Sequence, residues 1–187
     1  MSDPSVIDPL SGCLNRQGCL RMGARLTELA QKNRQPLAAL WLNLDRFRKV
    51  NDSLGLGCGD SVIAKLGNRL SHGIGHRGHV ARMSADEFAI LAPMLRQNEA
   101  QMLAAELLSL ISAPLEIGAM CLHPTASIGV ACLEYDESAE SLLQRAEHAM
   151  LDGKHQGGAM HVLSGEEKQA GRLGVKLELE PLSDVDP

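Results

Sequence analysis

The stretch Leu37-Ala38-Ala39-Leu40-Trp41-Leu42-Asn43-Leu44 sets the tightest limit on how this chain folds. It reads as an apolar run eight residues long, set between Pro36 and the charged pair Asp45-Arg46. A bilayer-spanning helix needs about 20 such residues, so the run is far too short to cross a membrane. Its length and its lack of a helical polar face suit a strand buried inside a sheet. Pro36 stops the helix that precedes it.

The rest of the composition supports one domain built around that strand. The chain has 187 residues, 44 % of them apolar. That is enough for a core without disulfide staples. A net charge of −5 argues against a protein that coats nucleic acid. Only Trp41, Phe47, Phe88 and Tyr135 are aromatic, so stacking platforms for single strands are not expected either. No apolar segment approaches the span of a membrane, and the N-terminus carries no export signal. The expected location is the cytoplasm. Five cysteines, at 13, 19, 58, 121 and 132, form no C-x-x-C pair and read as reduced thiols.

Along the chain, residues 1–7 read as a loose leader and Asp8-Pro9-Leu10-Ser11-Gly12 as a turn. Asn15 is a candidate cap for a helix with Leu20, Ala24, Leu26, Leu29 and Ala30 inward. A short helix is expected over Arg46–Asp52. Gly55 to Gly59 reads as a loop, and Asp60 as the cap of a helix bearing Val62, Ile63, Leu66 and Leu70. Residues 71–79 are rich in Gly and His and read as an exposed turn. The spacing of His72, His76 and His79 invites a metal, but the interposed glycines favour a solvated loop. Val80–Arg82 and Phe88–Leu91 form a hairpin around Met83–Glu87. Gln97–Ser112 is an amphipathic helix with Met102, Leu103, Leu107, Leu110 and Ile111 inward. Met83, Met94, Met102 and Met150 read as gap-filling core residues. Thr125–Leu133 is a strand, Ser138 or Ser141 opens a helix through Met150, and Met160–Leu163 is a last strand. The polar stretch 164–187 reads as a partly helical tail or a linker stub. The order predicts an α+β fold with a central, mainly antiparallel sheet of about five strands flanked by helices.

Several ordered motifs narrow this further. Asp8-Pro9-Leu10-Ser11-Gly12-Cys13-Leu14-Asn15-Arg16 resembles DxLTGLxNR, and Leu42 to Asp52 resembles xDxDxFKxxND. Gly59-Asp60 matches a downstream GD. Ala81-Arg82-Met83-Ser84-Ala85-Asp86-Glu87-Phe88 stands where ARxGGDEF is expected. Ser127-Ile128-Gly129-Val130 resembles SIGVA, and Ala146 to Gly158 resembles ADxALYxAKxxGRN. On these landmarks residues 8–163 are identified as a member of the GGDEF family of diguanylate cyclases. The resemblance implies a nucleotide-cyclase, palm-like fold with a ferredoxin-like core. It also implies a reaction in which two GTP-loaded domains face each other and form cyclic di-GMP with two Mg²⁺ or Mn²⁺ ions.

Carried over position by position, the resemblance describes an eroded site. The family's metal positions fall on Asn43, Leu44 and Asp86, and Asn43 replaces a carboxylate with a poorer, neutral ligand for a hard dication. The glycine pair of the signature is Ser84-Ala85, ahead of Asp86, Glu87 and Phe88. If that tip needs a left-handed residue, the change costs about 1 kcal/mol. Gly158 stands at a phosphate-binding arginine. Leu56 replaces a histidine, and Arg48 a lysine. Asp86 and Glu87 remain as the acidic pair, Asn51 and Asp60 as the guanine-reading positions, and Lys154 as the phosphate lysine. Each has a plainer explanation: turn chemistry for Asp86 and Glu87, a turn and a cap for Asn51 and Asp60, a helix-end cation for Lys154. The inhibitory RxxD site maps to Gly75 and Gly78, which have no side chains, so product binding there is not expected.

The reading is therefore a catalytically inactive regulatory or protein-interaction domain in cyclic di-GMP signalling. No cofactor is expected to bind, GTP is expected to bind weakly or not at all, and a homodimer is possible. The expected partner is a protein or a neighbouring domain, such as an EAL phosphodiesterase domain. The alternatives are a weakly active cyclase using Mg²⁺ or Mn²⁺, a GTP sensor without turnover, and a purely structural dimerisation module.

Overall fold

The computed structural model describes residues 4–155, 160–164, 171–172 and 180–181. Strand β1, Leu37–Leu44, is buried at every position and lies inside a sheet that, among the described residues, has six strands in the order β2 (His79–Arg82), β3 (Glu87–Pro93), β1, β6 (Ala126–Cys132), β7 (Met160–Leu163) and β8 (Gly171–Arg172). Its neighbours are β3 (Glu87–Pro93) and β6 (Ala126–Cys132), both antiparallel to it along nearly its whole length. Strand β2, His79–Arg82, extends the sheet beyond β3. Strand β7, Met160–Leu163, runs parallel to β6.

The apolar run faces two cores, because successive side chains on a strand point to opposite sides. Ala38, Leu40, Leu42 and Leu44 join Phe88, Ile90, Ile128 and Val130 in the larger core. Leu37, Ala39 and Trp41 join Ala89, Leu91 and Ala131 in the smaller one. Asn43 continues the second set, so its side chain emerges on the same face as Trp41, at the strand's end. That face is covered by α1 (Arg16–Asn33) and α5 (Ala139–His155). The other is covered by α3 (Leu56–Ile74) and α4 (Gln97–Ser112). None of the helices among the described residues is long and apolar enough to cross a membrane.

Helix α1 begins where expected: Asn15 Oδ1 accepts from the Gly18 N–H at 2.9 Å. Its buried stripe differs from the one expected. Cys19, Gly23, Thr27 and Ala30 face inward, whereas Ala24 and Leu29 are exposed. A Cβ on Gly23 would lie 3.1 Å from that of Ala139, so the glycine brings α1 close to α5 and sets the stripe. Burial pushes the Cys19 thiol up to about 12, which removes it as a nucleophile. Residues 4–7, read as a leader, pack on the start of α1: Pro4–Val6 form a 3-10 turn, and the Asn15 N–H donates to the Val6 carbonyl at 2.8 Å.

The glycine-rich segments also behave differently from their reading. Helix α2, Phe47–Leu54, is followed after Gly55 alone by α3, so Gly57 and Gly59 are helical and Asp60 is no cap. A Cβ on Gly59 would overlap the Asn51 Oδ1. This glycine makes room for a side chain and does not break the helix. The expected turn over 71–79 is largely helix: α3 continues to Ile74, so His72 is helical, and a 3-10 turn spans Gly75–Arg77. A Cβ on Gly73 would overlap Leu110 of α4, so this glycine serves the crossing of the two helices.

Helix α4 buries Ala100, Leu103, Ala104, Leu107, Leu108 and Ile111 and exposes Met102. Met83 and Met150 are buried, but Met94 and Met102 are not core residues. Arg69 of α3 donates to the carbonyls of Leu110, Ile111, Ala113 and Pro114, closing the end of α4. The sequence reading missed a hairpin after it, β4 (Leu115–Ile117) and β5 (Met120–Leu122), turning at Gly118 with φ +61°. Two pieces of the expected tail are strands: β8 (Gly171–Arg172) pairs with β7, and β9 (Glu180–Pro181) with β5. The remainder of that tail, including Glu166 to Ala170, lies outside the described residues.

Candidate functional site

Strand pairing assembles the site at one end of the sheet. Asn43, near the end of β1, lies opposite Glu87 of β3 on one side and Ser127 of β6 on the other. The signature residues Ser84, Ala85 and Asp86 form the connection from β2 to β3, and Lys154 lies in the last turn of α5. A chain of hydrogen bonds joins these pieces. Lys154 Nζ donates to Asn43 Oδ1 at 2.5 Å. Asn43 Nδ2 donates to Glu87 Oε1 at 3.1 Å, and Ser84 Oγ donates to Glu87 Oε2 at 2.8 Å.

Asp86 sits within this group. Its carbonyl accepts from the Leu44 N–H at 3.0 Å, the register contact that holds the tip against β1. Its carboxyl is shifted above the ordinary carboxylate range, chiefly by burial. The positive charges of Lys154 and Arg82 pull the other way, and the negative charge of Glu87 adds to the rise. The tip itself carries no left-handed strain. The non-glycine residues with positive φ, among those described, are Arg34, Arg46, Met94 and Asp136, so Ser84 and Ala85 are relaxed. The conditional cost raised for these two positions does not arise.

Arg82 fixes the tip from the other side. Its Nε donates to the Ser84 carbonyl at 3.0 Å and its Nη2 to the Ala85 carbonyl at 2.9 Å. Its Nη1 pairs with Asp8 at 3.3 Å, and Asp8 also accepts from the Ser11 N–H and hydroxyl. Burial alone would raise the Asp8 carboxyl, but the Ser11 hydrogen bonds and the Arg82 charge outweigh it and the pKa is lowered. A carboxylate whose folded pKa is depressed stabilises the fold above its unfolded value. That contribution is lost as pH falls through the folded value. Asp8→Asn is therefore expected to cost roughly 1–3 kcal/mol at neutral pH. The gap from the parent protein should close as denaturation is followed down through the ordinary carboxylate range and then through the depressed folded value of Asp8.

The other expected residues are not in the hydrogen-bonded group. Asn51 lies on α2 over Gly59 of α3, and Asp60 follows on α3 with its side chain exposed. Arg48 is 93 % exposed and reaches only Asp52, at 3.8 Å, along its own helix. Such a pair contributes little. Leu56 is 74 % exposed. At the RxxD positions, a Cβ on Gly78 would meet the Leu91 carbonyl oxygen at 2.5 Å, so no aspartate fits there without backbone movement. Arg77 is engaged elsewhere, with Glu106 and the Gly73 carbonyl. Gly158 lies outside the described residues. Sequence reasoning flagged Asn43 and Lys154 separately but missed their contact, which spans 111 positions. It also missed the Ser127 hydroxyl donating to Asp45 at 2.9 Å.

These residues do not fit a pair of divalent cations. The Asn43 oxygen is already taken by an ammonium, its nitrogen is turned to Glu87, and Asp86 is left as the charged donor of the family's three metal positions. One carboxylate at these positions is the least that a single Mg²⁺ takes besides substrate phosphates, and it falls short of what a pair of dications needs.

Comparison with known proteins agrees with the motif reading. A family model described as diguanylate cyclase, GGDEF domain, matches residues 5–160. The chain is 32 % identical over 148 residues to the cyclic di-GMP phosphodiesterase NbdA of Pseudomonas aeruginosa, covering 79 % of this chain and 19 % of that protein. It is 32 % identical over 151 residues to the diguanylate cyclase DgcN of Escherichia coli, covering 80 % of this chain and 37 % of that one. The chain thus spans well under half the length of either curated relative. Among solved structures, the diguanylate cyclase SiaD in complex with its activator SiaC, from Pseudomonas aeruginosa, superposes with a TM-score of 0.81 at 28 % identity, covering 85 % of this chain and 62 % of that one. By fold, by motif order and by family match, the chain belongs to the diguanylate cyclase GGDEF-domain family.

Proposed function

We propose that this member is a catalytically silent GGDEF domain that acts as a regulatory or protein-interaction module in cyclic di-GMP signalling. The observation that carries the reading is the occupancy of Asn43. Where a cyclase needs a carboxylate for metal, this chain has an amide hydrogen-bonded to Lys154 on one side and Glu87 on the other. The same contact engages the lysine that a triphosphate would need. Ser84-Ala85 at the tip and Gly158 at the arginine position add to the loss.

The guanine-reading positions Asn51 and Asp60 survive, so a weak nucleotide contact through the base is retained in this reading. The domain is built on residues 8–163, with Pro4–Val6 packed against it and β8 and β9 pairing back onto it, and the stretch 164–187 leads in this reading toward a neighbouring domain, for which an EAL phosphodiesterase domain is the favoured type. The similarity to NbdA, a cyclic di-GMP phosphodiesterase, supports a phosphodiesterase as that neighbour. Association with a second copy or with a separate protein is the other form of output, and SiaD held by its activator is a precedent for partner binding in this fold. The cytoplasm is the compartment in which we place it.

The test is turnover. Concentrated protein incubated with GTP and Mn²⁺ is expected to yield no cyclic di-GMP by mass-resolved chromatography. Product that disappears in Asp86→Ala establishes a working cyclase instead. A GTP-dependent thermal shift without product, abolished by Asn51→Ala or Asp60→Ala, identifies a sensor.

A further inference from the structure

We infer that Lys154 is the resident cation of this site: its ammonium takes the Asn43 oxygen, at the position where the family has a metal-binding carboxylate, and it is bound there through that contact. The inference deepens the reading of a silent domain and rests on it. It starts from the two-sidedness of the amide. An ammonium only donates and an ionised carboxylate only accepts. With Lys154 at 2.5 Å and Glu87 at 3.1 Å, the orientation of Asn43 is settled by its partners, oxygen to the lysine and nitrogen to the glutamate. A carboxylate at position 43 has no hydrogen for Glu87 and sets two negative charges within hydrogen-bonding distance.

Asparagine therefore does more than weaken a ligand. It removes the repulsion that a divalent ion would otherwise relieve, and it joins β1 to the tip with no ion present. Lys154 then supplies positive charge to the surroundings of Asp86. Arg82 is directed to the tip carbonyls and to Asp8. A dication entering here has to displace a tethered ammonium, whose effective concentration is set by the chain. It then has to tolerate that ammonium nearby, a like-charge contact in a half-buried setting.

Mn²⁺ alone is a suitable probe, because electron paramagnetic resonance counts the bound ion directly. The full chain is expected to show no saturable uptake at millimolar Mn²⁺. Asn43→Asp, which restores a second carboxylate beside Asp86 but keeps the ammonium, is expected to bind weakly. Asn43→Asp with Lys154→Met is expected to bind at least tenfold more tightly than Asn43→Asp alone. Saturable uptake by the unmodified chain that Asp86→Asn removes overturns the inference. So does a double variant that gains less than tenfold, or that binds no Mn²⁺. Should the double variant fail to fold, Asn43→Asp with Lys154→Gln takes its place under the same tenfold criterion. The same samples are given GTP. Mn²⁺ uptake by the unmodified chain without cyclic di-GMP overturns the resident lysine and leaves the silent domain standing, whereas product from the unmodified chain overturns the functional reading itself.

Discussion

Gly129→Ala is expected to destabilise the domain by about 3 kcal/mol or more, one of the largest losses available to a single methyl group here. Gly129 lies in β6, paired with Trp41 of β1 on one side and Val162 of β7 on the other. A Cβ at this position would overlap the Ala146 carbonyl oxygen and the Met150 nitrogen, and would lie 2.9 Å from the Ala149 carbonyl carbon. All three are backbone atoms of α5. A side chain can rotate away from an added methyl, but a buried helix backbone can only translate. Moving α5 off β6 opens the core formed by Ala131, Leu142, Ala146 and Met150. At about 2–4 °C per kcal/mol for a domain of this size, calorimetry should record a fall in Tm of roughly 6–12 °C or more. Gly57→Ala is the control. It is helical with nothing within 4 Å of an added Cβ, and it should be neutral or stabilising by up to about 1 kcal/mol. Loss of Lys154 from the site is a further consequence, since the same helix carries it.

The two glycines illustrate what the sequence discloses and what it withholds. The strand Leu37–Leu44 was readable because continuous burial leaves an apolar run that no other element of that length explains. The hairpin β2–β3 and the signature tip followed from short apolar segments around a polar turn. Glycines were misread as breakers at 57, 59 and 73. Locally a glycine costs helix stability, and at 59 and 73 only the tertiary partner (Asn51 for one, Leu110 for the other) reveals why it is there, whereas nothing in the structure explains the glycine at 57. The inward stripe of α1 holds at Leu20, Leu26 and Ala30 but fails at Ala24 and Leu29, for the same reason. Close approach of α1 to α5 at Gly23 turned Cys19 and Thr27 inward and left Leu29 at 43 % exposure. The hairpin β4–β5 has three-residue strands, too short for alternation to register.

The site was legible to a different depth. Motif order located Asn43, Ser84, Asp86, Glu87 and Lys154 individually, and four of the five were brought together by hydrogen bonds, with Asp86 beside them. Which of them touch was not readable, because side-chain hydrogen bonding between residues far apart depends on the face of the strand and the phase of the helix. Position 43 shares its face with Trp41, and α5 covers that face, so an odd-numbered residue at the end of β1 meets the last turn of α5. Arg48, by contrast, was placed in the site by motif and lies in solvent.

Asn43→Asp alone is expected to give no cyclic di-GMP from GTP and Mn²⁺, although it repairs the most conspicuous change. The new carboxylate would face two neighbours at once: Lys154, with which it forms an ion pair, and Glu87, which loses its donor. The pair neutralises the charge that was meant for metal and keeps the lysine from phosphate. The tip still presents Ser84 and Ala85, and no guanidinium stands at position 158. A charge-assisted hydrogen bond contributes about 1.5–3 kcal/mol, and each 1.4 kcal/mol is tenfold in affinity. Restoring one of the two such contacts leaves the arginine's missing, a deficit of roughly tenfold or more in GTP binding, and leaves two side chains at the tip. Residues of one site need not add, so the combination must be built rather than summed. Asn43→Asp together with Ser84→Gly, Ala85→Gly and Gly158→Arg should bind GTP with Mn²⁺ at least a hundredfold more tightly than the parent chain, measured by calorimetric titration. A clear yield of product from Asn43→Asp by itself would show that one carboxylate outweighs the tip and the missing arginine together. The hydrogen bonds of Asn43 would then be a consequence of metal loss and not the device that replaces it.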